Sequence, residues 1–211
     1  VIHKAGNDLK ALIDNILALS KIASGQYEVH CETVSVETLM ADVYELLLPQ
    51  FEQKGLRFVV EQAPGTPETF DSDPDKIRQV LNNFVSNALK FTDDGEVRLK
   101  ASAAGAPYSV RFAVSDTGIG IAPEKQERIF EAFKQADGST SRRYGGTGLG
   151  LSISRQIAQL LEGDIMLDSR EGEGATFSLL LPSSCTGESV VTHGVLTSST
   201  DTESLLVEAE E

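Results

Sequence analysis

Two asparagines lie one helical turn apart in a segment whose apolar residues recur at helical spacing. The apolar positions that predict a buried helix face are Ile77, Val80, Leu81, Phe84, Val85 and Ala88. The opposite stripe holds Gln79, Asn83, Asn87 and Lys90. Asparagine is a poor helix former, and a stripe that only faced water would favour Glu and Lys. An amide oxygen can ligate Mg²⁺ and a lysine can reach phosphate oxygens, so the stripe is a candidate phosphate and metal site. A solvated face is the alternative.

A second candidate site begins where a predicted strand ends, in the sequence Asp116-Thr117-Gly118-Ile119-Gly120-Ile121. Its glycines allow backbone conformations and close approaches that other residues cannot make. The Asp116 carboxylate only accepts hydrogen bonds, so it could receive one from an exocyclic amine such as that of adenine. An ordinary turn is the alternative interpretation of this segment.

A third glycine-rich segment, Gly145-Gly146-Thr147-Gly148-Leu149-Gly150, directly precedes a predicted helix. Its backbone N–H groups and the helix N-terminus could converge on an anion. The sequence contains no GxxxxGK(S/T) motif, and residues 139–144 are too polar for the buried strand that precedes a Rossmann turn. Lys134, Arg142 and Arg143 face only one acidic residue nearby, so the region is locally positive and suited to phosphate.

The elements that must position these groups form an α/β succession. Helices are predicted over residues 1–26, around 39–53, from 74 to about 91 and over 149–161. Strands are predicted over residues 33–36, 56–61, 97–103, 108–115, 164–168 and 175–181, with the last two forming a closing hairpin. Residues 62–72 are expected to form a loop. Asp73 and Pro74 should begin the helix that carries the asparagines.

Composition limits the classes of function. The chain has 211 residues, 40% of them hydrophobic, which suits one globular domain with attachments. The formal net charge of −14 argues against binding to nucleic acid or to an anionic membrane surface. No apolar run is long enough to span a membrane and there is no secretory signal, so we expect a cytoplasmic chain. Cys31 and Cys185 form no metal-binding pattern and are expected to be unpaired thiols.

The two ends of the chain differ from its centre. Apolar residues at spacings of three and four over residues 1–26 predict a helix that packs in a coiled coil or bundle, or else onto its own domain. Residues 183–211 contain no Lys or Arg and are rich in Glu, Ser and Thr. Such a composition is typical of a disordered linker or acidic tail.

Four motifs together resemble those of sensor histidine kinases, in the order that the family shows. Residues 79–92, QVLNNFVSNALKFT, are similar to the N box, and Asp116 to Ile121 to the first glycine box. Residues 129–133, IFEAF, resemble the F box, and residues 145–151 the second glycine box. Residues 7–25 look like the second dimerisation helix. The resemblance covers residues 1–182 and implies a partial dimerisation hairpin over 1–26, a catalytic ATP-binding domain over 27–182 and a tail over 183–211.

The resemblance implies a two-layer α/β sandwich with a mixed sheet, of the Bergerat type, which holds ATP between helices and a lid over residues 122–144. Asn87 would coordinate Mg²⁺, and Asn83 and Lys90 would line the phosphate side. Phe91 would flank the nucleotide and Asp116 would bind the adenine amine. The remaining residues of the implied nucleotide site are Gly118, Gly120, Ile121, Phe130, Phe133, Arg142, Arg143, Gly146, Thr147, Gly148, Leu149 and Gly150. For the two lid phenylalanines, a plain core role is an equal alternative.

In this family the γ-phosphoryl group of ATP passes to a histidine of a dimerisation helix. His3, His30 and His193 are the histidines of this sequence, and none lies in the H-E-x-x-x-P pattern of the acceptor. The implied partners are therefore ATP or ADP, a phosphoacceptor helix of the parent protein and a response-regulator receiver domain of a two-component system, with homodimerisation open. A nucleotide-sensing module without phosphotransfer, or an interaction module that docks a receiver, are the alternative functions.

Overall fold

The computed structural model of the chain describes residues 2–132 and 148–185. The helices are α1 (Ile2–Ala23), α2 (Val36–Lys54), α3 (Pro74–Phe91), α4 (Pro123–Gln126) and α5 (Gly150–Leu160), with a 3₁₀ turn at Arg128–Phe130. The strands are β1 (Glu32–Ser35), β2 (Arg57–Gln62), β3 (Thr69–Ser72), β4 (Glu96–Ala103), β5 (Val110–Asp116), β6 (Asp164–Arg170) and β7 (Gly174–Leu181). Apart from β3, α4 and the 3₁₀ turn, which were not predicted, these elements confirm the succession that the sequence predicts.

Five strands form one mixed sheet in the order β2-β4-β5-β7-β6. β2 and β4 run parallel, and the other neighbours are antiparallel. Alternate residues of β4 and β5 are buried, including Val97, Leu99, Phe112 and Val114, and helices α2, α3 and α5 contact the sheet. A sheet buried on one face beneath helices is a two-layer α/β arrangement, which confirms the predicted fold class.

The N-terminus of α3 is fixed by a buried carboxylate. Asp73 is 2% exposed, and its Oδ1 accepts hydrogen bonds from the backbone N–H groups of Asp75 and Lys76, each at 3.1 Å. Its Oδ2 accepts from the His30 N–H at 2.9 Å and from the Lys76 ammonium at 2.7 Å. The predicted cap is thus confirmed, and it also fastens the segment that follows α1 to the start of α3.

Aromatic contacts hold the helical layer on the sheet. Phe84 of α3 meets Phe177 of β7 with ring centroids 5.3 Å apart, and both side chains are buried. On α2, Phe51 stacks on Phe58 of β2 with centroids 4.4 Å apart. Ring pairs of this kind add to the apolar burial and fix the rotation of each helix about its own axis.

Helix α1 shows features of both packing alternatives. Leu12 and Leu19 pack against the core and Ala18 is buried, while Ile13, Ile16 and Leu17 are about half exposed. α1 therefore rests on its own domain, next to α5, and still presents an apolar stripe outward. Within the described part of the chain, no helix is long and apolar enough to cross a membrane.

Two expectations from the sequence are wrong. Residues 69–72 form strand β3, which pairs antiparallel with β1, whereas a loop was expected throughout residues 62–72. Only Phe70 and Ser72 of this short, polar strand are buried, so its sequence carries little strand signal. Cys31 and Cys185 form a disulfide, with Cα atoms 6.3 Å apart, although 154 residues separate them in sequence. The contact arises because the chain beyond β7 runs beside β3, where the Asp71 N–H donates to the Ser183 carbonyl.

We expect Asp73→Asn to lower the free energy of unfolding by about 2 to 4 kcal/mol at pH 7, because it leaves the buried Lys76 ammonium without its counter-charge. Burial raises the pKa of Asp73, but hydrogen bonds from Lys76 and from the His30 amide outweigh it, so the pKa lies below the ordinary 3.8. The ionised Asp73 carboxylate therefore stabilises the fold above pH 3.8, and this stabilisation is lost as the pH falls through the pKa of Asp73 in the folded state.

The measurement is chemical denaturation of both proteins at neutral pH and at about pH 3, where the difference should shrink. Asp75→Asn is the matched control, since its side chain is 87% exposed and its ion pair with Arg78 lies at the surface. The control should change stability by less than about 1 kcal/mol. A pH-independent difference for Asp73→Asn would contradict the assignment.

Candidate functional site

The polar stripe of α3 is an ordered row of side chains. The Asn83 Nδ2 donates to the Ser154 Oγ of α5 at 2.9 Å, and the Asn87 Nδ2 donates to the Asn83 Oδ1 at 3.4 Å. All three residues are wholly or partly buried. These bonds orient both amides and leave the carbonyl oxygen of Asn87 as its atom suited to a cation. The stripe is therefore more than a solvated helix face.

The end of the second glycine box packs directly against this row. A Cβ atom at Gly150 would lie 2.3 Å from the Asn83 Oδ1, so an added side chain would have to displace the Asn83 amide. Gly148 adopts a positive φ of 70° two residues earlier. Leu149 lies between them with a fully buried side chain in the core, so its backbone is the part that could meet a ligand.

The first glycine box meets the C-terminal end of α3. The Ile119 N–H donates to the Phe91 carbonyl at 3.3 Å, and a Cβ atom at Gly118 would lie 2.4 Å from the same oxygen. Gly120 has a φ of 65° and packs against the Arg170 carbonyl. At Gly118, Gly120 and Gly150, the backbone therefore lies so close to α3 or to the β6–β7 hairpin that a Cβ atom could be added only if a neighbouring group moved.

Asp116 lies at the end of β5, partly buried. Its Oδ1 accepts from the Gly118 N–H at 2.9 Å. Burial raises the pKa of this carboxyl, and hydrogen bonds from the Gly118 and Ala175 amides lower it in part. A cavity of 270 Å³ borders Asp116 and is otherwise lined by β6, β7 and their connection. A half-desolvated carboxylate beside a cavity can accept a strong hydrogen bond from a ligand.

The C-terminal turn of α3 carries a lysine and an aromatic ring. The Lys90 ammonium lies 4.7 Å from the centroid of the Phe91 ring, a distance that permits a cation–π contact. Burial lowers the pKa of Lys90. Because desolvation disfavours the charged ammonium, an anionic ligand would be favoured at this position.

Phe130 belongs to the hydrophobic core. It is 7% exposed, contacts Phe177 edge to face at 6.3 Å, and lies 3.8 Å beneath the Arg155 guanidinium. Ile121, the last residue of the first glycine box, is fixed by hydrogen bonds from its N–H to the Ser169 Oγ and from the Gln126 side chain to its carbonyl, both at 2.9 Å. Other predicted site residues lie outside the described part of the chain: Phe133, Arg142, Arg143, Gly146 and Thr147.

The sequence analysis missed Ser154. The side chain of this residue is almost fully buried and receives the Asn83 amide. The spacing in the sequence could have indicated this residue, because a serine four residues after Gly150 lies on the same side of the predicted helix as that glycine.

The structure therefore brings the first glycine box and residues 148–150 of the second against α3, the helix that carries the N box. The family of histidine kinase-, DNA gyrase B- and HSP90-like ATPases matches residues 72–184, which is more than half of the 211 residues.

Known proteins of the same kind agree with this match. The autoinducer 2 sensor kinase/phosphatase LuxQ of Vibrio parahaemolyticus is 40% identical over 187 residues, covering 86% of this chain and 22% of LuxQ. The signal transduction histidine-protein kinase BarA of Escherichia coli is 34% identical over 179 residues, covering 83% of this chain and 20% of BarA. The crystal structure of full-length ShkA in complex with AMPPNP superimposes with a TM-score of 0.77 at 33% identity, over 89% of this chain and 38% of ShkA.

The chain belongs to this ATPase family and carries the ATP-binding catalytic portion of a sensor histidine kinase. It spans about a fifth of the length of the two curated relatives.

We expect Gly150→Ala to weaken ADP binding by about tenfold while the folded protein keeps its stability to within about 1 kcal/mol. The added Cβ would press on the Asn83 Oδ1, the end of a side chain that can rotate away, and helix propensity favours alanine. The displaced amide is the one that orients Asn87. Calorimetric titration and thermal unfolding measure the two effects.

Gly105→Ala is the control for this substitution, because a Cβ atom there meets nothing within 4 Å. It should leave both quantities unchanged. Unaltered ADP affinity in Gly150→Ala would show that the contact between Gly150 and Asn83 does not shape the nucleotide site.

Proposed function

We propose that this chain binds Mg·ATP along α3 and presents the γ-phosphoryl group for transfer to a histidine on a dimerisation helix of the parent protein. The observation that carries the proposal is the hydrogen-bonded row formed by the amides of Asn87 and Asn83 and the hydroxyl of Ser154, against which Gly150 packs so closely that a Cβ atom would displace the Asn83 amide. Such a row offers phosphate groups neutral hydrogen-bonding side chains next to the backbone N–H groups of the second glycine box.

The residues present fit a magnesium ion held together with a triphosphate. The Asn87 amide nitrogen donates to Asn83, so its oxygen is oriented as a neutral ligand. Mg²⁺, when bound, neutralises charge on the phosphates during transfer. In the proposal, Asn83 and Lys90 bind phosphate oxygens on either side of Asn87. A bound anion would stabilise the charged form of the partly desolvated Lys90 ammonium.

Asp116 is the proposed acceptor for the exocyclic amine of adenine. Its Oδ1 accepts the Gly118 amide, and a carboxylate has lone pairs enough for a second donor. Gly118 and Gly120 bring the backbone close without a side chain in the way, and Phe91 flanks the base. The hydrogen bond from the Ile119 N–H to the Phe91 carbonyl holds the first glycine box against the end of α3 and so supports this arrangement.

We expect Asp116→Asn to abolish measurable ADP binding while the protein remains at least as stable as the wild type at pH 7. An asparagine offers the adenine amine a weaker neutral acceptor. Because burial raises the pKa of Asp116, the protonated carboxyl stabilises the fold. This contribution is fully present below the unfolded-state pKa of 3.8 and is lost as the pH rises through the pKa of the folded state. At neutral pH the ionised carboxylate therefore costs stability that the neutral amide does not.

Thermal unfolding and calorimetric titration of Asp116→Asn separate these two effects. Acidification should also weaken ADP binding by the wild type, because it protonates Asp116. Since the pKa of Asp116 is raised, this loss should begin at a higher pH than it would for an aspartate with an ordinary pKa. A variant that was destabilised and still bound ADP would assign Asp116 to the fold alone.

The principal test of the proposed function is calorimetric titration of the chain with ADP, with and without Mg²⁺. Saturable one-to-one binding that strengthens with Mg²⁺ is expected. Asn87→Ala should retain binding but lose its dependence on Mg²⁺, since it removes the proposed metal ligand together with the 3.4 Å hydrogen bond to Asn83. Gln79→Ala is the matched control, because this residue also lies on the polar stripe but donates no proposed metal ligand and contacts Tyr27. No ADP binding by the folded wild type would contradict the proposal.

The transfer step is tested by supplying an acceptor domain that carries the H-E-x-x-x-P histidine, together with ATP labelled in the γ-phosphoryl group. Label on the acceptor histidine is the expected result. Nucleotide binding without transfer would favour the nucleotide-sensing alternative. The proposal includes a response-regulator receiver as the downstream partner and a division of the chain at residues 26 and 182 into dimerisation helix, catalytic domain and tail.

A further inference from the structure

Helix α3 ends differently from its neighbour α2. α2 is followed by Gly55, whose left-handed backbone (φ 75°) turns its N–H back to the carbonyl groups of Phe51 and Glu52. α3 is followed by Thr92, which is extended (φ −106°, ψ 114°) and donates only to the Ala88 carbonyl. The last carbonyl groups of α3 therefore need donors from outside the helix.

A lysine at the end of α2 supplies these donors. The Lys54 Nζ donates to the carbonyl oxygens of Leu89 and Thr92, each at 2.6 Å. The Asp93 carboxylate lies 4.0 Å from the same nitrogen. The ammonium also offsets the partial negative charge at the C-terminus of α3. Because α2 packs beside α3, the cation is held by a second element of the fold rather than by the helix that it caps.

The two carbonyl groups bonded to Lys54 lie on either side of Lys90 and Phe91. These are the residues with which the last turn of α3 meets the proposed nucleotide site. The Phe91 carbonyl in turn accepts the Ile119 N–H and lies against Gly118. A shift of this turn would therefore displace the phosphate-side ammonium and the first glycine box together.

We propose that Lys54 is a positioning residue for nucleotide binding, which acts by holding the last turn of α3 and through it Lys90, Phe91 and the first glycine box. The inference rests on the proposed function, because it takes the nucleotide to bind along α3. Lys54 itself contacts two backbone oxygens and the Asp93 carboxylate, so its effect on the ligand is indirect.

The test compares Lys54→Met with Lys54→Arg by calorimetric titration with ADP and Mg²⁺, at a temperature where every variant is folded. Methionine has a similar length and no donor, whereas a guanidinium can bond both carbonyl groups. We expect Lys54→Met to raise the Kd for ADP about tenfold and Lys54→Arg to keep it within about threefold of the wild type. Lys54→Met should keep its Mg²⁺ dependence, since Asn87 lies before the turn that loosens.

Lys100→Met is the matched control for loss of a lysine. Lys100 is 46% exposed on β4 and pairs with Glu61 at 3.1 Å, away from α3. It should bind ADP as the wild type does. Backbone amide hydrogen exchange without nucleotide gives a second measurement, and in Lys54→Met it should rise locally around Thr92 and Ile119.

The possible outcomes distinguish this inference from the proposed function. Wild-type affinity in the folded Lys54→Met protein would overturn the positioning role alone, as would a uniform rise in exchange with unchanged affinity, which is the result of a purely structural role. Absence of ADP binding by the wild-type chain would overturn the proposed function and this inference with it.

Discussion

Helix α3 is buried on one face and carries the polar side chains of the candidate site on the other, and the rest of the structure depends on this arrangement. One face buries Ile77, Val80, Leu81, Phe84 and Val85 completely against the sheet and neighbouring helices. Each such side chain contributes about 1.5 to 3 kcal/mol, so rotation of the helix about its axis would be far more costly than any single polar contact could offset. The apolar face thus fixes the direction in which Asn83 and Asn87 project.

Several contacts hold this helix at its ends and along its polar side. Asp73 caps the start and Lys54 the end, one from the preceding strand region and one from α2. Gly150 and Gly118 allow two loops to approach α3 so closely that an added Cβ atom would press on the Asn83 amide or on the Phe91 carbonyl. These two glycines therefore have a structural reason to be glycines even before a ligand is considered, and that reason is the same proximity to α3 that would place the loops around a nucleotide.

The electrostatics of the site differ from those of the whole molecule. The chain carries a net charge of −14, yet its proposed ligand is an anion. Along α3 the candidate phosphate contacts are neutral amides and one lysine, and at the base end a single carboxylate is available to an amine. Burial disfavours the charged form of both ionisable groups, raising the pKa of Asp116 and lowering that of Lys90. At both positions, a bound ligand of opposite charge or with suitable donors would stabilise the charged form of the side chain.

The sequence by itself determined the features that depend on neighbouring residues. The limits of α3, its cap, the paired strands β4 and β5 and the closing hairpin all follow from periodicity, capping and turn chemistry over short spans, and the ordered motifs identified the family. Tertiary structure decided what depends on residues distant in sequence. The pairing of β1 with β3, the bond between Cys31 and Cys185, the contact of Asn83 with Ser154 and the capping of α3 by Lys54 join positions between 34 and 154 residues apart. No local pattern encodes these contacts, because each exists only after burial of the apolar faces has brought the elements together.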